Sequence, residues 1–321
     1  MKRSIGLLLG TALSGLLVMG CNNESTGPEE SAPVGVTNEA TAMKYYAEND
    51  SFVSNDEVTF ADKAVEPVNY GSFGKIEETI VPLRFGRFIK SINKQVDLQV
   101  QEGDTIAIAH VVKTVNGELK IRGLKGQDTV TVTKPFSDAS ERYIIFKRVN
   151  RERVRYWMNW VPVGSSMIAG GTVAPNNQVT ISKIETMLPG GKTLTVAEPM
   201  KHFFRYRWLK LFMGGNGDAP ELMAGENVTM KVTVVSASPD TDIVTLRYGF
   251  DPTHGRRVRM QVTSEVNNGD GTFTRTYELT WQAHFHRGFF NAHVDAMTKG
   301  TLYDDVAPYS VSWWAVPYRV Y

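Results

Sequence analysis

The amino-acid sequence predicts an all-β fold, with two β-sandwich-like domains behind a short apolar leader and a flexible acidic tether. Three observations carry this expectation. Many short runs rich in β-branched and aromatic residues are separated by Gly, Pro, Asn and Asp clusters, the spacing of sandwich or barrel strands. Several runs alternate apolar with polar residues, as Val96, Leu98 and Val100 do. Asn116-Gly117 and the stretch Asn267-Asn268-Gly269-Asp270-Gly271 stand between such runs and have the chemistry of hairpin turns.

The leader comes first. Lys2 and Arg3 precede an apolar run from Ile5 to Met19 that only Gly, Ser and Thr interrupt. About 15 helical residues rise only ~22 Å, too short for a hydrocarbon core of about 30 Å. Residues 1–20 therefore read as a cleavable signal peptide. They end in Val18-Met19-Gly20-Cys21, which resembles the lipobox of bacterial lipoproteins. The resemblance implies cleavage before Cys21, with a diacylglycerol on its thiol and an N-acyl chain such as palmitate on its amine. No other cofactor is expected. Several acyl chains at ~0.8 kcal/mol per buried CH2 would hold the protein stably on a bilayer. Asn22 follows the cysteine, which by the same resemblance implies the outer membrane, with the body facing the periplasm or the outside. Cys21 is the single cysteine. Once lipidated it leaves no thiol for a disulfide, a thiolate metal site or a cysteine nucleophile.

Residues 21–67 form the expected tether. The stretch from Asn22 to Ala40 holds Ser, Thr, Gly, Pro and Glu with few bulky apolar residues, so it cannot bury enough surface to fold. Acidic residues continue from Glu48 to Glu66. Tyr45, Tyr46, Phe52, Val53, Val58 and Phe60 point to a second half that docks on the body, with a short helix around 41–49.

The first sandwich domain is placed at 68–213. Its strands are expected at 96–100, 105–115, 118–122, 130–133, 143–149, 154–160, 179–187 and 192–196. Glu102-Gly103-Asp104, Asn116-Gly117 and Leu188-Pro189-Gly190-Gly191 supply turns, and 201–213 is read as a strand. The cluster from Gly214 to Pro220, GGNGDAP, marks a domain boundary. The second domain, 214–321, has strands expected at 220–222, 228–234, 242–248, 258–266, 272–279, 288–296 and 311–320. This pattern resembles bacterial immunoglobulin-like or fibronectin type III-like domains. The resemblance implies a fold and carries no function with it.

The candidate chemistry is sparse. A formal net charge of +1 provides no global field for nucleic acid, and an exported chain does not meet it. His284 and His286 share one face if they lie on a strand, at a spacing that suits two ligands of one metal; His293, His254 or Asp295 would have to supply a third. Trp157, Trp160, Trp313 and Trp314 are candidates for stacking on sugar rings, although Trp313 and Trp314 must point to opposite faces of a strand. Lys147, Arg148, Arg151, Arg153 and Arg155 surround an expected turn and would suit anionic headgroups or acidic glycan. No nucleophile elbow, zincin motif or P-loop is present in the sequence. The expected role is therefore non-catalytic binding or scaffolding by a lipid-anchored envelope protein, with other envelope proteins or glycan as partners. A glycan-binding lipoprotein is the alternative, and a metal-dependent or glycosidic enzyme is the third reading.

Overall fold

The computed structural model describes residues 35–49, 79–101, 103, 105–149, 159–205, 219–249 and 256–321. The leader, Cys21 and most of the tether lie outside these residues.

The all-β expectation holds: among the described residues sixteen strands form two sheets. Helix α1 (Glu39–Asn49) precedes three long strands, β1 (Val81–Val100), β2 (Ile106–Lys125) and β3 (Asp128–Arg148). These pair as an antiparallel meander. Next come β4 (Trp160–Ser166), β5 (Ile168–Thr172), β6 (Val179–Met187), β7 (Thr193–Val196) and β8 (Phe203–Arg205). The remainder comprises β9 (Glu221–Leu222), β10 (Asn227–Ser236), β11 (Ile243–Tyr248), β12 (Arg256–Arg259), β13 (Gln261–Asn267), β14 (Phe273–Gln282), β15 (Gly288–Met297), helix α2 (Lys299–Tyr303) and β16 (Val311–Val320).

The larger sheet has the path β1-β2-β3-β5-β16-β15-β11-β12, and the smaller has the order β13-β14-β10-β6-β7. This topology corrects the expected division at residue 214. Strand β6 pairs with β10, and β5 pairs with β16, so both sheets draw strands from each side of the breaker cluster. Residues 35–321 form one compact unit. The breaker cluster itself lies outside the described residues, and strand pairing joins the segments on either side of it.

Three apolar clusters follow. The first fills the space between the sheets, with Ile181, Met230, Val232 and Tyr277 from the smaller sheet facing Leu246, Val294, Trp314 and Val316 from the larger. The second lies on the opposite face of the larger sheet and joins Phe85, Leu119, Ile121, Phe136, Leu302, Tyr309 and Trp313. The third packs α1 against the far end of the meander through Met43, Ala47, Ala109, Ile144 and Phe146. Strand β16 is apolar on both sides because alternate residues serve the first and second clusters.

The larger sheet also curls. Its edge strands β1 and β12 face one another through side chains: the Arg257 guanidinium stands 5.2 Å from the centre of the Phe85 ring. Helix α2 closes this curl, and the Tyr303 carbonyl accepts the Thr79 and Ile80 N–H groups.

The strongest hairpin signal proves misleading. Asn116-Gly117 sits within β2, and the true turn is Gly126-Gln127, with Gly126 at φ +65°. Gly117 is required for space, because a Cβ there would fall 2.3 Å from the Phe88 carbonyl oxygen and 2.7 Å from the Phe136 ring. The expected strands 130–133 and 143–149 are one strand, β3, and the expected 258–266 is divided between β12 and β13. Strands β4 and β5 lie beyond the expected strands, and most of the strands expected at 154–160 and 201–213 lies outside the described residues. Strand β6, the hairpin before β7, the turn before β14, and β16 stand where the pattern placed them.

Candidate functional site

The sequence-predicted residues do not assemble into one site. His284 and His286 have ring centroids 6.1 Å apart, but they lie in the irregular link between β14 and β15 instead of on a strand. His284 meets the Phe290 ring edge-on at 4.2 Å. Burial, then the neighbouring His286, lowers its pKa. Phe290 and Tyr318 belong to the face of the larger sheet that looks toward the smaller one. His293 is an odd-numbered neighbour on β15, so it looks the other way, beside Asp295. Burial and the nearby Arg247 push His293 down to about 4. Parity therefore separates His293 from the other two. Among the described residues no three His, Cys, Asp or Glu side chains are grouped to hold a metal. His254 lies outside them.

The tryptophans are placed against sugar stacking. Trp313 and Trp314 do point to opposite faces, but both faces are covered, leaving the two residues 6% and 5% exposed. Trp313 lies across Gly170, where a Cβ would come within 2.5 Å of the indole. Trp160 is also buried, and its Nε1–H donates to Glu39 at 2.8 Å. Trp157 lies outside the described residues, as do Arg151, Arg153 and Arg155 of the basic run.

The larger charge cluster was not foreseen. Inside the curl, Arg87 from β1 donates to both Asp295 oxygens at 3.2 and 3.0 Å, and Arg257 from β12 donates to the same carboxylate at 2.9 Å. Asp138 accepts from Tyr309 at 2.8 Å and from Thr172 at 3.2 Å. Burial pushes Asp138 up to about 6, although Arg87 opposes it, and raises Tyr309 as well. Lys134 donates to the carbonyls of Gly300 and Asp304, and burial brings its pKa down to about 8. The Arg87 side chain is wholly shielded. These groups hold the curl and the α2 region in place, with their charges directed at one another.

One surface open to contact is an end of the sandwich. The loop after β9 and the link before β15 are tied by reciprocal bonds: Gly225 N–H donates to Ala283 O at 2.9 Å, and Ala283 N–H donates to Glu226 O at 2.8 Å. The Gln282 amide adds a bond to Gly225 O. On these paired loops Met223 is 63% exposed and Phe285 is 78% exposed. A Cβ placed on Gly225 would lie 3.8 Å from the Phe285 ring, so the ring stands close over this loop. His286 and Arg287 flank the ring and are exposed. The sequence signal was present but misassigned: the two histidines drew attention, and the aromatic between them is the residue turned outward.

No family model matches this chain, and the search of curated proteins finds no match.

Proposed function

We propose that this is a lipid-anchored cell-envelope protein of the outer membrane that binds or scaffolds other envelope components without catalysis, using the Met223–Phe285 end as its contact surface. The leader ending in Cys21 supports the anchor. The observation that carries the binding role is the outward Phe285 and Met223 on two loops fixed to one another. A large apolar pair held in water on a preorganised frame loses little freedom on binding and gains by burial. Burial of Trp160, Trp313 and Trp314 weighs against the glycan alternative.

The test is a crosslinking pull-down from native envelopes with a C-terminal tag, comparing the full chain with Cys21→Ser and Phe285→Ser. One or two defined envelope proteins should be recovered with the full chain and depleted in both variants. Recovery that Phe285→Ser leaves unchanged rules out this end as the contact surface.

A further inference from the structure

We infer that helix α1 is a clamp that shortens the anchor chain and turns one tip of the β1–β3 meander toward the bilayer; this rests on the lipid-anchored reading above. The clamp is built at both ends of the helix. Glu39, in its first turn, accepts from Arg148 at 3.1 and 3.2 Å, from Asn159 at 2.9 Å and from Trp160 at 2.8 Å. Burial opposes ionisation of Glu39, but these bonds outweigh it and hold the carboxyl below its usual range. Asn38 caps the helix by accepting the Thr41 N–H at 2.9 Å. At the other end Lys94 donates to the Glu48 carbonyl at 2.9 Å, a cation where the helix dipole favours one. Between them Ala42, Met43 and Ala47 are buried.

Reach follows from where the helix is fixed. From Cys21 to Gly35 the chain has 14 steps, which cannot span more than about 50 Å. Counted instead to Thr79 there are 58 steps, and the limit rises to about 200 Å. The short chain arrives beside Arg148, Asn159 and Trp160, at one tip of the meander. The β2–β3 turn at Gly126-Gln127 is at the other tip, about 60 Å away for strands of this length. The near tip carries Val100, 48% exposed, and the cross-strand pair Ile106 and Lys147, an apolar and cationic set that fits a phospholipid headgroup layer.

The lipidated chain is suited to a direct test, because its single cysteine is occupied and an introduced one can be labelled alone. Gln101→Cys and Gln127→Cys are both exposed sites at opposite tips. Each would carry a donor dye in the full chain, reconstituted into phosphatidylethanolamine vesicles with a minority of phosphatidylglycerol and an acceptor lipid. Energy transfer should be several-fold greater from 101 than from 127, and Glu39→Lys should bring the two within twofold. Equal transfer in the parent chain overturns the inference while leaving the anchor intact. A difference that Glu39→Lys does not change overturns the clamp. A chain that fails to float with the vesicles overturns the anchored reading and this inference with it.

Discussion

Arg275 and Arg87 both have side chains with no exposure to solvent, but the protein holds them in different ways. Arg275, on β14 at the end of the sandwich opposite Phe285, donates to Asp242 at 2.9 Å and Glu265 at 2.6 Å. It also donates to the carbonyls of Ser238 and Pro239 at 3.0 and 3.1 Å. Asp242 in turn accepts from Ser236 at 2.8 Å. This knot ties a single local turn between β10 and β11 to the neighbouring strand. Arg87 instead reaches across the curl, and it shares Asp295 with Arg257 from the far edge of the same sheet. One cluster is short-range, centred on one cation. The other is long-range, and two cations support one carboxylate. The lesson is that burying a charge sets the cost of losing its partner, while the number of remaining partners sets how much of that cost is felt.

The largest expected effect breaks the knot. Arg275→Met leaves Asp242 buried at the centre of a turn without its cation, and two carbonyls lose their donor. We expect a loss of about 3–5 kcal/mol of unfolding free energy, measured by denaturant unfolding of the full chain. A loss below about 1 kcal/mol would mean that water enters the turn and the knot is dispensable.

Arg87→Met should cost less, about 2–3 kcal/mol by the same measurement, because Asp295 keeps Arg257. Equal losses for the two variants would end the distinction drawn here. The double variant Arg87→Met with Arg257→Met should then fall by more than the sum of the two single losses, since only it leaves Asp295 without both arginines.

These clusters also mark where the sequence was legible and where it was not. Strand positions read well because alternation and turn residues are local. Strand β16 was placed to the residue, and the loop before β14 was recognised from its Asn and Gly content. The asparagine–glycine pair at 116–117 misled because the same dipeptide serves two purposes. There the glycine makes room for Phe88 and Phe136, which are distant in sequence or on another strand. The sheet-crossing division at 214 could not be read, since the pairing of β6 with β10 depends on residues more than forty positions apart. The same holds for Arg87, Arg257 and Asp295. Arg257 stands among the arginines of β12 and Arg87 among the charges of β1, and nothing local says that either meets Asp295. The Glu39 clamp was invisible for that reason too; of the residues expected to dock, Tyr46 packs against the third cluster, while Phe52, Val53, Val58 and Phe60 lie outside the described residues.

Each cluster contains one aspartate that burial pushes up to about 6, Asp242 in the knot and Asp138 near Arg87. A folded pKa above the unfolded value of 3.8 means that the folded state holds the proton more tightly. The associated stability is fully present below pH 3.8 and is lost as pH rises through about 6. Asp138→Asn keeps a neutral partner for Tyr309 and Thr172 and removes that titration. The difference in stability between parent and variant should shift in the variant's favour by about 1–3 kcal/mol between pH 4 and pH 7. A difference that is flat with pH would show that Asp138 titrates normally.

The smallest expected effect lies at the surface, where ion pairs look similar on paper but have water as a competitor. Lys201 and Glu198 approach to 2.6 Å, closer than Arg275 approaches Asp242, yet their side chains are 76% and 65% exposed. If distance governed stability, Lys201→Ala would rival the buried variants. If burial governs it, as the contrast between the two clusters requires, the loss stays within about 0.5 kcal/mol and shrinks further in high salt. Denaturant midpoints for Lys201→Ala at low and high ionic strength decide between the two. A salt-insensitive loss above about 1 kcal/mol would mean that Lys201 acts through packing around the turn before β8, where it is the last residue, and not through its charge.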